Sequence, residues 1–254
     1  MSKIFKTIGL LFGLFILFMI SSIIVFIFTD PLPIGFEEKY ILQLDLSKCI
    51  VLAILYIHYR KEKNIAKELK FNKIRAQDVF YIILFGIVLT TVVSIIREPI
   101  LGLTQISMEV SSETESNLTL ILGIVSMIII APIIEEIVFR GIIFNHLKRN
   151  YSILSAIIVQ AMIFAVAHGN ISQGLSAFLL GIILVLAYMC YNSIFASIIL
   201  HIIFNLLGGV GLQELFGITG AVYNMYVGAS IVIFICLSFK MISNYKKYRT
   251  KSNI

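Results

Sequence analysis

The sequence predicts an all-α polytopic transmembrane helix bundle of about eight spans with both termini cytoplasmic, and three observations carry that prediction. Composition is the first. Of 254 residues, 59% are hydrophobic and 13% charged, with a mean hydropathy of +0.99; a soluble domain is roughly 45–50% apolar and roughly 25% charged. Second, apolar runs recur at the ~17–25 residues that cross a bilayer as a helix. Third, Lys and Arg gather in alternate connections, which the positive-inside rule converts into an orientation. No polar stretch is long enough for a separate soluble domain, so residues 1–254 read as a single membrane domain. The net charge of +6 sits in short loops and tails, where the lipid bilayer's headgroups account for it, and no nucleic-acid partner is implied. Cys49, Cys190 and Cys236 are scattered with no CxxC pair, which argues against a disulfide framework or a thiolate metal site.

The spans follow in order. The first, 7–29, is longer than a signal-peptide core and lacks a small-residue cleavage pattern before Asp30-Pro31, so it is expected to be retained. The second, 41–59, ends at a basic loop carrying Arg60, Lys61, Lys63, Lys67, Lys70, Lys73 and Arg75. Within that loop, residues 67–71 read either as a short amphipathic segment on the headgroups or as solvated loop. The third span is 78–97. The fourth, 118–147, is too long for one straight crossing and holds Pro132 in its middle. Because proline removes a helix hydrogen bond, two angled pieces, 118–130 and 133–147, are expected. A short fifth span, 153–168, precedes 175–192 and 193–210, which are separated by a tight turn at Tyr191-Asn192-Ser193; the last is 219–240. Gly208, Gly209 and Gly211 soften the end of the seventh. With eight spans, Lys3 and Lys6, the 60–75 loop, Lys148 and Arg149, and the tail with Lys246, Lys247, Arg249 and Lys251 all fall on one side. The opposite connections carry Asp30, Glu37, Glu38, Glu98, Glu109, Glu113 and Glu115.

Three polar motifs interrupt this hydrocarbon: Glu135-Glu136-Ile137-Val138-Phe139-Arg140, Phe164-Ala165-Val166-Ala167-His168 and His201-Ile202-Ile203-Phe204-Asn205. An ionisable group at the bilayer centre costs ~2.5–3.5 kcal/mol or more, so such residues face the bundle interior and mark a site. On a helix, Glu136 and Arg140 stack four apart and pair. Glu135 is rotated by about 100° and has no counter-ion on its own helix. Desolvation without a counter-ion makes a carboxylate more basic, as a general base needs. The alternative is a structural ion pair beside a solvated glutamate. Phe164 and His168 share a helix face, as do His201 and Asn205, and the latter two are suited to donate to an oxyanion. Helix–helix hydrogen bonding is the alternative for either histidine alone. Glu135, His168 and His201 also match a His₂Glu zinc set, although no His-x-x-x-His or His-Glu-x-x-His puts two ligands on one helix. The zinc alternative stays open. His58 and His146 sit at cytoplasmic helix ends and read as ordinary.

In these motifs, Glu-Glu-x-x-x-Arg, Phe-x-x-x-His and His-x-x-x-Asn in order, the chain resembles the CPBP (Abi) family of intramembrane proteases. That family includes type II CAAX prenyl proteases and bacterial proteins of bacteriocin self-immunity and peptide maturation. The resemblance covers a core of 118–210. It implies that Glu135 activates a water for attack on a peptide carbonyl, that His168 assists, and that His201 and Asn205 form the oxyanion site. Glu136 and Arg140 would hold that site. It further implies a glutamate-type enzyme with no required cofactor, acting on a membrane-associated peptide or protein. The composition looks bacterial, which favours a multi-pass protein of the cell membrane and a pheromone, bacteriocin or signalling protein as substrate. The reading from a different class is a non-catalytic scaffold or bacteriocin-immunity protein that works by binding a partner. A small ion-coupled transporter is disfavoured by the lack of paired broken helices in two repeated halves.

Overall fold

A chain this apolar has to satisfy its backbone hydrogen bonds internally, and it does so with helices. The computed structural model describes residues 2–60, 69–104, 116–208, 217 and 219–251, among which there is no strand. Helices α1 (Lys3–Thr29), α2 (Phe36–Arg60) and α3 (Ala76–Thr104) are followed by the long α4 (Asn117–Asn150). Then come α5 (Ile153–Val166), α6 (Ile171–Cys190), α7 (Ile194–Gly208) and α8 (Gly220–Lys251). Six of these are long and apolar enough to cross a membrane, all but α5 and α7. Phe12, Phe28 and Phe239 are among many large apolar side chains left exposed, as lipid-facing helices require. This is a multi-pass membrane protein.

Pro132 does not break α4. The expected division into two angled pieces is corrected by a continuous helix whose turns change width. Ser126–Ile130 and Ile137–Phe144 are π-helical and bracket the α-helical Ala131–Glu136. Ahead of the proline, the Ala131 N–H reaches back to Ser126 O, five residues away rather than four. That wider turn gives the pyrrolidine ring room where an α turn would press it on a carbonyl.

Other boundaries move for local reasons. Asn170 accepts from the N–H groups of Ser172 (2.8 Å) and Gln173 (3.2 Å), so α6 starts at Ile171 and His168 lies in the turn before it. Lys70 adopts φ +57 and 71–75 are irregular, so no helix runs through the end of the basic loop. Lys61, Lys63, Lys67, Glu109, Glu113, Glu115, Gly209 and Gly211 lie outside the described residues.

The helices group into two units. In the first, α2 packs on both α1 and α4, and a polar seam ties α2 to α4. Glu38 accepts from Ser116 Oγ (2.5 Å) and Thr119 Oγ1 (2.6 Å), and Asp45 accepts from Ser126 Oγ (2.8 Å). The partners rise together in sequence, so the two helices run parallel. At the other end of α4, Thr7 of α1 meets His146 Nε2 (3.0 Å) and the Tyr151 hydroxyl (3.1 Å).

The second unit holds α3 and α5 to α8. Helix α3 packs against α7, α8 and α6, and α5 lies along α6. Glycines permit the close approaches: a Cβ on Gly86 of α3 would come within 2.6 Å of Ile203 on α7, and one on Gly181 of α6 within 3.2 Å of the Ala161 backbone on α5. Such small-residue contacts let apolar helices gain dispersion energy that lipid cannot supply. Phe85 and Phe234 stack at 5.1 Å between α3 and α8. The irregular segment before α3 docks on the α6–α7 turn, with Asn72 Nδ2 donating to Asn192 O (2.7 Å) and Ser193 Oγ to Asn72 O (2.6 Å).

Candidate active site

The acidic motif lies in the first unit, on α4. Glu136 and Arg140 are both 0% exposed, and Arg140 Nη1 donates to Glu136 Oε1 at 2.7 Å. This is the pair that a four-residue spacing dictates. Its burial is costly unless both charges are retained, because one charge left alone in apolar surroundings has no water to screen it.

Glu135 stands differently. Its side chain keeps 20% of its accessibility, and Lys48 Nζ of α2 approaches Oε1 at 3.6 Å. The expectation that Glu135 lacks a counter-ion is therefore corrected: the neighbouring helix provides one. The sequence held a signal for this. Asp45 and Lys48 are ionisable residues inside an apolar span, the same anomaly that singles out the other three motifs.

The histidine motifs lie in the second unit. Helix α5 ends at Val166, and the chain turns through His168 and Gly169, the latter at φ +67. A left-handed conformation of this kind costs glycine nothing, and it lets Asn170 start α6 at once. In the turn, His168 Nδ1 lies 2.8 Å from Phe164 O. A carbonyl only accepts, so Nδ1 carries a proton and donates it to this bond. Half-buried, the His168 ring is thus held in a fixed orientation with its Nε2 edge turned away from that bond.

Phe164 does more than cover its own helix face. Fully buried, its ring meets His168 edge-on at 4.8 Å and His201 of α7 at 5.8 Å. One aromatic ring therefore spaces two imidazoles that are 33 residues apart in the sequence. His201 is 2% exposed, and Asn205 follows one turn later on the same helix, half-buried. Sequence spacing gave the Phe164–His168 contact; the contact with His201 depends on α5 and α7 sharing a fold.

The structure thus gathers Glu135, Glu136, Arg140 and Lys48 in one unit, and Phe164, His168 and His201 in the other, with Asn205 on the helix of His201. Among the described residues no group of three or more His, Cys, Asp or Glu side chains is placed to hold a metal ion, and no catalytic step is derived through zinc.

Comparison with known proteins adds one finding. A family described as Rce1-like, type II CAAX prenyl endopeptidase Rce1-like, matches residues 117–207. No curated protein and no solved structure matches the chain. The matched segment opens at the first residue of α4, ends within α7 and contains all three motifs. Over residues 117–207 the chain is therefore similar to type II CAAX prenyl endopeptidases of the Rce1-like family.

Proposed function

We propose that the chain is a glutamate-type intramembrane endopeptidase that cleaves a membrane-associated peptide or protein. The observation that carries this reading is the unequal setting of two adjacent carboxylates. Glu136 is sealed against Arg140 at 0% exposure, whereas Glu135 keeps 20%, so the accessible one is able to meet a water. In the reaction, the water oxygen bonds to the scissile carbonyl carbon as its proton passes to the Glu135 carboxylate. His168 accepts a hydrogen bond from that water at Nε2 and orients it. Charge develops on the carbonyl oxygen, where His201 and Asn205 donate to it. The C–N bond then breaks, and the proton held by Glu135 moves to the departing amine. Glu136 and Arg140 hold the α4 turn that carries the base. The working core is 118–210, and all eight helices cross the membrane with both termini cytoplasmic.

The matched family's name makes a prenylated CAAX tail the first substrate to try, and the bacterial look of the composition adds bacteriocins, peptide pheromones and signalling proteins of the cell membrane. The test compares membranes from null, wild-type and Glu135→Gln cells by peptidomics, with an internally quenched farnesylated CAAX peptide as a second probe. Wild-type membranes should release fragments that the other two do not, with Glu135→Gln protein present at wild-type level. If Glu135→Gln preserves both the fragment pattern and the cellular phenotype, the chain is a partner-binding scaffold instead. Cleavage should also survive a chelator; loss that added zinc restores would make Glu135, His168 and His201 metal ligands.

A further inference from the structure

We propose that Lys48 is a positioning residue for the Glu135 base, an assignment that rests on the protease reading above. Lys48 lies in α2, far in sequence from the three motifs and outside the matched segment. Its ammonium is 3.6 Å from Glu135 Oε1, with 26% of the Lys48 side chain accessible. A lysine within an apolar span carries a large insertion cost, which the charge of Asp45, three residues back on α2, offsets in part.

The seam between α2 and α4 explains why Lys48 arrives where it does. Glu38 binds Ser116 and Thr119, and seven residues on, Asp45 binds Ser126. These contacts fix α2 lengthwise against α4. Lys48, about one turn further along α2, then reaches onward with its long side chain to meet Glu135. The acids of α2 are matched with hydroxyls of α4, while its lysine is matched with an acid. At 3.6 Å the ammonium lies beyond the ~2.7–3.2 Å of an ordinary N–H···O hydrogen bond. It attracts the carboxylate as a neighbouring charge without clamping it, so Glu135 is held in place and stays able to take a proton from water. Arg140 on Glu136 is the contrasting case: a direct 2.7 Å hydrogen bond at 0% exposure, which ties its carboxylate down.

The test measures the release rate of whichever fragments separate wild-type from Glu135→Gln membranes, using full-length Lys48→Met and Lys48→Arg proteins. Lys48→Met keeps the apolar stem and should lower the rate roughly 10- to 100-fold, the scale on which misplacing a reacting group acts. Lys48→Arg restores the charge and should return the rate to within about three-fold of wild type. Added to Glu135→Gln, Lys48→Met should cause no further loss, since the two act as one unit. A wild-type rate in Lys48→Met, or Lys48→Arg protein that is folded and as inactive as Glu135→Gln, overturns the proposal for Lys48 and leaves the protease reading intact. Equal fragment release by wild type and Glu135→Gln overturns the protease reading itself.

Discussion

Glu135 and Glu136 are chemically identical neighbours, yet different forces hold them. Glu136 is fully buried, 2.7 Å from Arg140, and removing one member of such a pair strands the other charge at a cost of about 3–5 kcal/mol. Glu135 and Lys48 keep 20% and 26% of their accessibility and stand 3.6 Å apart, so losing one strands the other less completely than in the sealed pair. The two substitutions should therefore separate. Glu136→Gln is expected to lower the thermal unfolding midpoint sharply in detergent, whereas Glu135→Gln is expected to unfold close to wild type while losing cleavage. Equal stability losses would mean that the carboxylates are not divided in this way. The first half of this contrast was legible in the sequence, because Glu136 and Arg140 are four apart on one helix. The Lys48 contact was not, because it depends on how α2 and α4 line up. That register is set by Glu38 and Asp45, which look like loop and span residues until their hydroxyl partners are known.

At the scale of single helices, the sequence located the helices but misjudged how they are finished. Hydropathy marks where a helix runs, whereas caps and hydrogen-bond pattern decide where it stops and how wide its turns are. Pro132 looked like a break because the missing N–H was visible and the compensating π turn at Ser126–Ile130 was not. His168 looked like a helix residue because Asn170 was not read as the cap of α6. The contact of α5 with α6 matters most for the histidines, since α5 carries Phe164. A Cβ on Gly181 would lie 3.2 Å from the Ala161 backbone and 3.3 Å from the Phe164 ring. Gly181→Val should overpack this seam at a cost of about 1–3 kcal/mol and push Phe164 against the imidazoles. The expected result is a lower unfolding midpoint together with a cleavage loss greater than that of Gly181→Ala. If Gly181→Val cleaves at the wild-type rate, then Phe164 does not set the spacing of His168 and His201.

For the whole molecule, the open quantity is whether the short helices α5 and α7 cross the bilayer. At 14 and 15 residues, and about 1.5 Å per residue, they rise less than the ~30 Å hydrocarbon core. Length alone leaves them undecided, and the eight crossings proposed above rest on a parity argument. The start of α3 follows the basic loop, which the positive-inside rule makes cytoplasmic. Asn72 and Lys70 of that connection bind the α6–α7 turn through Asn192 O, Ser193 Oγ and the Ile194 N–H, so this turn lies on the same side. Helices α3 and α4 both cross, which returns the chain to the cytoplasm at Ile153. In the proposed topology, the chain travels from there to Asn192 on the same side with α6 crossing once, and α5 crosses too. Likewise Asn244 of α8 donates to Asp78 Oδ1 at 3.3 Å, and in the proposed topology α7 offsets the crossing made by α8. Labelling tests this directly. In a chain with Cys49, Cys190 and Cys236 changed to Ser, Asn192→Cys should react with a membrane-impermeant maleimide only after cells are permeabilised. Leu32→Cys, in the α1–α2 turn on the opposite side, should react in intact cells. Reaction of Asn192→Cys in intact cells would reverse α6 and make α5 and α7 re-entrant. His168 and His201 would then lie on segments that enter and leave by the same face, and the substrate's route to them would change with it.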